Sequence, residues 1–367
     1  MAQYDYLIVG SGITGAVLAR ELYKKGKRCL VIEQRNHVGG NIYDEVQHGI
    51  LIHSYGPHIF HTRSLEIWTY INQFGKFNHF INSPVANYKG QLYNLPFNMN
   101  TFYQLWGTIT PQEAMHRLKD ERIVYPHEPQ NLEEKALSLV GSSIYEKLIK
   151  GYTEKQWGQA CNKLPSFIIE RIPLRFTYNN NYFNDPYQGI PIEGYTSLIG
   201  KMLQNTEVHL QTDYFQDRLF FNRIAKRIIY TGPIDRYFDY QLGTLSYRSL
   251  KFENSYYASS NYQGVAVVNF TDSQTPYTRI IEHKHFQFGE HPHTIITREY
   301  PLTWGPGQEP YYPINDEVNN SLFLKYQELA YKETNTVFCG RLANYHYCNM
   351  DKAIEKALLL VKAETNS

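Results

Sequence analysis

"LIVGSGITGAVLARELYKKGKRCLVIEQ", residues 7–34, decides how the rest of the chain is read. Tyr6, Leu7, Ile8 and Val9 form a short apolar run suited to a buried parallel strand, and Gly10, Gly12 and Gly15 follow at G-x-G-x-x-G spacing. The first glycine allows a tight turn, the second lets the backbone approach a pyrophosphate, and the third lets the next helix pack closely on the strand. That helix turns Ala16, Leu18, Ala19 and Leu22 toward the sheet, carries Lys24 and Lys25 in its last turn and stops at Gly26. Its free N–H groups and positive dipole end face the phosphates. A second strand, residues 28–32, ends at Glu33, where a carboxylate can accept two hydrogen bonds from ribose hydroxyls. A glycine triplet alone also occurs in turns that hold no ligand. Strand, turn, helix, strand and terminal acid in register make this one a dinucleotide site.

"RNHVGGN", residues 35–41, places a second glycine pair just after the acid. The pattern resembles that of FAD-dependent proteins of the glutathione-reductase type, which favours FAD over NAD. No second G-x-G-x-x-G occurs, so a built-in nicotinamide domain is not expected.

The 367 residues suit one large domain or two to three interleaved ones. With 36 basic and 35 acidic residues the net charge is +1, so no global field points to nucleic acid or an anionic membrane, and anion recognition must be local. No apolar run approaches a bilayer span, and "MAQYDYLIVG" runs straight into the first strand; a cytoplasmic protein is expected. Cys29, Cys161, Cys339 and Cys348 form no C-x-x-C pair and fit reduced thiols. "HKH" at 283–285 and "HPH" at 291–293 lack cysteine or carboxylate partners in register, so no metal is expected. The 32 tyrosines suit faces that grip sugars, bases and phosphates; a tyrosine-rich core is the alternative.

Further along, "INSPVANYKGQLYNLPF" holds two short strands around Lys89-Gly90. Residues 98–170 turn helical, with a Thr cap and Pro at the first position of "TPQEAMHRLKDERI". "LRFTYNNNYF" and residues 245–300 read as antiparallel sheet, while "RIIYTGPID" and "TVFCGRLANY" return to the first domain. The expected fold is α/β, with a Rossmann-like FAD-binding domain, an inserted helical domain and an antiparallel β-sheet domain. The boundaries are 1–80, 195–245 and 325–367 for the first; 98–172, with a mobile lid, for the second; and 81–97, 173–194 and 246–324 for the third.

"GYTEKQWG", "ERIPLRFTYNNNYF", "PYTRIIEHKHF", "EPYYPIND" and "GRLANYHYCNMD", in this order behind the glycine turn and "YGPHIFHT", resemble the bacterial UDP-galactopyranose mutases nearly end to end. The resemblance implies an FAD-dependent isomerase that interconverts UDP-galactopyranose and UDP-galactofuranose without net redox change. In it, N5 of the reduced flavin attacks the anomeric carbon and forms a covalent adduct as UDP leaves. Such enzymes supply galactofuranose for cell-surface polysaccharide, habitually as homodimers, and need an external reductant such as NAD(P)H. A flavin oxidase or desaturase sharing the first domain is the rival reading, and a mutase acting on the N-acetylated sugar nucleotide is another.

Carried over residue by residue, the resemblance makes Arg171 and Arg279 the pair that clamps the diphosphate, which suits a guanidinium fork on phosphate oxygens. Tyr182, Tyr312 and Tyr347 bond the phosphates or stack at the uridine. Tyr152, Thr153, Phe183 and Asn269 surround the uridine, Asn82 and Arg248 contact the sugar nucleotide, and Trp157 rides the mobile loop. His58 and His61 lie beside flavin and sugar. In the N-acetyl branch an arginine is expected at the position of His61, so histidine favours plain galactose. The flavin falls to Gly10, Ser11, Gly12, Thr14 and Gly15, then to Glu33, Gln34, Gly40 and Asn41. His58, Ile59, Arg341, Asn349 and Met350 complete its site. Many bacterial members carry Asp where this chain has Asn349, and some have Phe in place of Leu148.

Overall fold

Strand Tyr4–Val9 is the middle of a five-stranded, all-parallel sheet. Ala225–Tyr230 and then Thr336–Phe338 lie on one side of it, Cys29–Ile32 and then Glu207–His209 on the other. Cys29–Ile32 is buried at every position, as an apolar run covered on both faces must be. Helix Ile13–Lys24 buries Ala16, Leu18, Ala19 and Leu22 completely and packs on helices Gly194–Leu203 and Met350–Thr365. The computed structural model describes residues 2–169 and 174–365. Its contacts divide the chain into two units: Met1–His79, Asp185–Tyr247 and Tyr312–Ser367 form the first, Phe80–Asn184 and Arg248–Tyr311 the second.

In the first unit a long-range cap replaces a local one. Helix Gly194–Leu203 has no side-chain cap of its own. The buried Asp44 carboxylate, from hairpin strand Asp44–Gln47, accepts instead from the N–H groups of Tyr195 (2.5 Å) and Thr196 (2.9 Å). Tyrosines fill much of this unit's interior: Tyr195, Tyr214, Tyr230, Tyr237, Tyr326 and Tyr345 are fully buried. The tyrosine-rich core thus accounts for part of the composition.

The second unit is a mixed sheet with helices on one shared core. Strand order is Tyr247–Tyr257, Thr294–Thr303, Arg279–Glu282, Val267–Phe270, Val85–Tyr88 and Gln91–Asn94. All neighbours are antiparallel except Val267–Phe270 with Val85–Tyr88, which run parallel. The hairpin at Lys89-Gly90 is as read: both residues have positive φ, 51° and 85°, the twist a two-residue turn requires. Helix Pro111–Glu121 starts on Thr110, whose side chain and that of Glu113 form a capping box behind Pro111. Helix Leu132–Ile144 starts on Asn131.

Three expectations change. The helical stretch and the sheet share one unit, because Ala86, Tyr93, Leu95 and Phe97 pack in one cluster with Phe102, Leu118, Val140 and Ile144. Residues 185–194 and 312–324 belong to the first unit, where strand Tyr187–Gly189 pairs with Phe60–Thr62 and helix Glu317–Ala330 packs beside Ile234–Tyr237. "LRFTYNNNYF" forms no strand over its described residues 174–183. Its asparagines take the backbone bonds a sheet would use: Asn179 Oδ1 accepts from Asn181 N–H and Asn181 Oδ1 from Phe183 N–H, while Arg175 donates to the Asn181 carbonyl.

A buried acid organises the far end of this sheet. Glu282, with no exposed surface, accepts from the N–H groups of Tyr262 and Gln263 (2.9 Å each) and the Thr294 hydroxyl (2.8 Å), beside His285. Burial alone would raise its pKa, but the His285 ring nitrogen at 3.1 Å, followed by these bonds, outweighs that and holds it at about 2, against an ordinary 4.5. A folded value below the unfolded one means stability that is present above pH 4.5 and lost as pH falls toward 2. Urea unfolding at pH 6 should find Glu282→Gln less stable by on the order of 2–3 kcal/mol. The gap should close through that acid window, and equal stabilities at pH 6 would count against this role.

Candidate active site

The chain leaves strand Tyr4–Val9 through Gly10, at φ +107°, and enters the helix over Gly15. A β-carbon on Gly15 would lie 2.0 Å from the Gly10 carbonyl oxygen, so only glycine permits this approach. Gly12 occupies the N-cap without a side-chain cap bond. The second glycine pair lies against this turn: Gly39 N–H donates to the Ser11 carbonyl (3.0 Å), and a β-carbon on Gly40 would come within 3.1 Å of Gly12 Cα. Glu33 is buried; its Oε2 accepts from the Ser11 N–H and hydroxyl (2.9 Å each), its Oε1 from Arg35 N–H (3.1 Å). A carboxylate has about four acceptor positions, which leaves about one for a ribose hydroxyl. The close-approach glycines, the helix start and the buried acid fit a dinucleotide.

Thr14 is buried at the helix start, and Gly340, next to Arg341, would bring a β-carbon within 3.6 Å of it. Gln34 is exposed and accepts from Arg236 (3.0 Å); Asn41 Oδ1 accepts from Arg35 (2.8 Å). Sequence reading missed the cluster that follows Glu33. Arg35 lies 4.6 Å from the centre of the Tyr55 ring, and His37 stacks on Tyr43 at 3.7 Å while bonding the Tyr55 hydroxyl (2.8 Å). The E-x-R-x-H spacing was the available signal.

His58 and Ile59 lie on the segment entering strand Phe60–Thr62, and His58 Nδ1 bonds the Gly56 carbonyl (2.8 Å). His61, on that strand, bonds Asp185 through Nδ1 at 2.6 Å, and Arg63 bonds the other oxygen of Asp185 at 2.9 Å. Burial works against the ionised carboxyl, yet these two bonds hold Asp185 below the usual range. Asp185 therefore fixes the imidazole through Nδ1, a partner invisible in sequence because it lies 124 residues away. Tyr312 and Tyr347 come together with ring centres 5.7 Å apart. Asn349 is exposed just ahead of helix Met350–Thr365, its carbonyl accepting from Ala353 N–H at 3.1 Å.

In the second unit Arg279 stands opposite Asn269 in the pairing of strands Arg279–Glu282 and Val267–Phe270. Its Nε and Nη2 both reach Glu299 Oε2 at 2.8 Å, and Glu299 is fully buried, with Oε1 accepting from the Thr278 hydroxyl (3.0 Å). The guanidinium is thus held from behind. Asn269 Oδ1 is buried and finds no hydrogen-bond partner among the described residues, an acceptor suited to a ligand donor. Asn82 is buried and its carbonyl accepts from Tyr182 N–H (2.8 Å); Tyr182 meets Phe183 edge to face at 5.5 Å.

Tyr152, Thr153 and Trp157 share helix Gly151–Trp157. Trp157 closes that helix and packs on the unit's core, so it is a helix residue and not a loop one. Arg248 uses two of its five N–H donors at the same helix end, Nε to the Gln156 carbonyl (2.8 Å) and Nη2 to that of Lys155 (3.4 Å), and a third, on Nη1, reaches the Thr303 hydroxyl (3.3 Å). It caps the helix. Leu148 is buried in the same core. Arg171 lies outside the described residues.

The parallel sheet, glycine turn and buried acid define the first unit as a dinucleotide-binding domain, and residues 8–74 match the NAD(P)-binding Rossmann-like domain. Residues 147–347 match the UDP-galactopyranose mutase family. Curated relatives include a probable UDP-galactopyranose mutase of Klebsiella pneumoniae, 39% identical over 98% of this chain and 94% of that protein. A dTDP-fucopyranose mutase of Escherichia coli is 37% identical over 96% of each. Among solved structures, reduced UDP-galactopyranose mutase superposes at TM-score 0.77 with 15% identity, over 100% of this chain and 94% of that one. A putrescine oxidase superposes at 0.63 with 12% identity, covering 100% of both. The chain belongs to the UDP-galactopyranose mutase family, a family of isomerases.

Among the described residues no helix is long and apolar enough to cross a membrane. Glu33→Ala should leave Ser11 without its acceptor and weaken cofactor retention by about tenfold or more. The ratio of flavin to protein absorbance after purification measures this; an undiminished ratio would remove Glu33 from the cofactor site.

Proposed function

We propose that the chain interconverts UDP-galactopyranose and UDP-galactofuranose on reduced FAD. Supporting it is the Arg279 guanidinium, held on buried Glu299 beside the unpartnered Asn269 oxygen: a fixed cation and an acceptor in one strand pair. The turn at Gly10, Ser11, Gly12, Thr14 and Gly15 would hold the FAD pyrophosphate, and Glu33 the adenosine ribose. Gln34, Gly40, Asn41, Ile59, Arg341 and Met350 belong to the same assignment. When bound and reduced, the flavin supplies an electron-rich nitrogen, N5, that can bond to the anomeric carbon.

The chain does the rest. As the bond between the anomeric carbon and the diphosphate breaks, its electron pair stays on UDP, and Arg279 with Arg171 stabilises that charge. Tyr312, Tyr347 and Tyr182 donate to phosphate oxygens or stack at the uridine. Tyr152, Thr153, Phe183 and Asn269 orient the uridine, with Asn82 and Trp157 beside them. The sugar opens at its ring oxygen and recloses through the 4-hydroxyl, a proton transfer that the reading gives to His61, fixed by Asp185, and His58. Water must be kept from the cleaved centre, a task the resemblance gives to a mobile lid carried by the helical stretch. His61 favours galactose over its N-acetylated form. A cytoplasmic homodimer fed by a reductant such as NAD(P)H, making furanose for cell-surface polysaccharide, completes the reading; the four free cysteines suit a reducing compartment.

UDP-galactofuranose incubated with the protein should appear as UDP-galactopyranose on chromatography only after dithionite, with no reductant consumed per product. Bleaching of the oxidised flavin by substrate, followed by its reoxidation in air, would instead mark an oxidase or desaturase. dTDP-fucopyranose offered alongside tests the nucleotide and the deoxy sugar. Arg279→Ala should stay yellow and lose turnover by about a hundredfold or more; retained turnover would remove it from the site. Asn349→Asp should add a repelling charge near the diphosphate and weaken UDP binding, and a calorimetric titration giving equal affinity would refute that placement.

A further inference from the structure

Lys155 is the one residue of helix Gly151–Trp157 whose cation points away from any assigned role and into the protein. Its ammonium donates to three backbone carbonyls of a single loop: Phe270 (2.8 Å), Thr275 (3.0 Å) and Tyr277 (3.1 Å). An ammonium has three N–H donors, so all of them are met. The loop joins strand Val267–Phe270, which carries Asn269, to strand Arg279–Glu282, which begins with Arg279. Asp272 shapes it, one carboxylate oxygen accepting from the N–H groups of Gln274 and Thr275 (2.8 Å each) and the other from the Thr275 hydroxyl (2.9 Å).

Two further ties fix the helix against the same loop. A β-carbon on Gly151 would lie 2.4 Å from the Thr271 carbonyl oxygen, and the Thr271 hydroxyl donates to the Lys147 carbonyl (2.7 Å). The helix follows directly on a π-helical run, Tyr145–Lys150, in which Tyr145, Leu148 and Ile149 are buried. Lys155 then ties the helix to the loop.

We propose that Lys155 is a positioning residue: its ammonium, shared among the Phe270, Thr275 and Tyr277 carbonyls, holds Tyr152, Thr153 and Trp157 in register with Asn269 and Arg279, and so sets nucleotide affinity rather than chemistry. The inference rests on reading that cluster as the uridine diphosphate site. Burial pulls the ammonium down to about 8, with Asp272 opposing. A neutral amine keeps only two N–H donors, so one carbonyl loses its partner. The other charged groups on these elements are Glu154 on the helix, Asp272 in the loop, Glu146, Lys147 and Lys150 on the π-helical run, Arg279 and Glu282 on strand Arg279–Glu282, Arg298 and Glu299 on strand Thr294–Thr303, and Arg248, Lys251 and Glu253 on strand Tyr247–Tyr257. None is of a type that ordinarily titrates between about 7 and 9.

UDP is titrated by calorimetry into the flavin-loaded wild type and Lys155→Met, with flavin absorbance and thermal unfolding recorded for each. The expected result is unchanged flavin content, a UDP Kd and a substrate KM raised about tenfold or more, and a kcat within about threefold. A folded, yellow Lys155→Met that binds UDP within about twofold of wild type overturns the inference. If the variant does not fold, wild-type affinity at pH 7 and at about pH 8.8 decides: it should weaken about threefold, and equal affinity overturns the inference. Wild type that binds no UDP at all overturns the substrate reading beneath it.

Discussion

The first unit depends on one contact, the Gly10 carbonyl against the bare α-carbon of Gly15. With a β-carbon only 2.0 Å from that oxygen, any other residue would push the helix off the strand end. Because the approach is allowed, the carboxyl ends of three strands converge on a single turn. Gly10 N–H donates to the Ile32 carbonyl (2.8 Å), and the Thr231 N–H and hydroxyl both donate to the Val9 carbonyl (3.1 and 2.8 Å). Glu33, at the end of the neighbouring strand, reaches back to Ser11. The turn is therefore braced before any ligand arrives, and ordering it costs a bound nucleotide little.

Buried and half-buried carboxylates do comparable work throughout. Asp44 caps a helix, Glu282 gathers a loop, Asp185 fixes an imidazole, and Glu299 backs a guanidinium. Each lies far in sequence from at least one group it binds, and each is satisfied by several donors, which is the condition for keeping an ionised group out of water. Such acids cannot be ranked from sequence. The same letters in "FNDPYQG" or "TREYPLT" would read as solvated surface, and only the pairing of Arg279 with Glu299 across adjacent strands reveals the second of them.

What was legible follows the same physics. The glycine turn, the Lys89-Gly90 hairpin and the Thr110-Pro111 helix start are local devices whose geometry is written in adjacent residues, and the structure has all three. "LRFTYNNNYF" carried the composition of a strand but also three consecutive asparagines, whose side chains bond the backbone locally and win over the ladder. Arg248 has the chemistry of an anion ligand, and the carbonyls at a helix end claimed it first. Sequence names the residue types that could bind a diphosphate; which cations are already spent is decided by contacts made across ninety residues or so.

On the proposed reaction, that distinction governs how a nearly neutral protein can hold a polyanionic leaving group. Arg279 and Glu299 together carry no net charge, so the pair offers no long-range attraction. It offers direction instead: the buried carboxylate removes the freedom of the guanidinium, and the N–H edge not facing Glu299 keeps one orientation that need not be found at the moment of bond breaking. Net positive charge would then have to come from a second cation, the role that the family resemblance gives Arg171. On the proposed reading the two arginines divide the task between orientation and field.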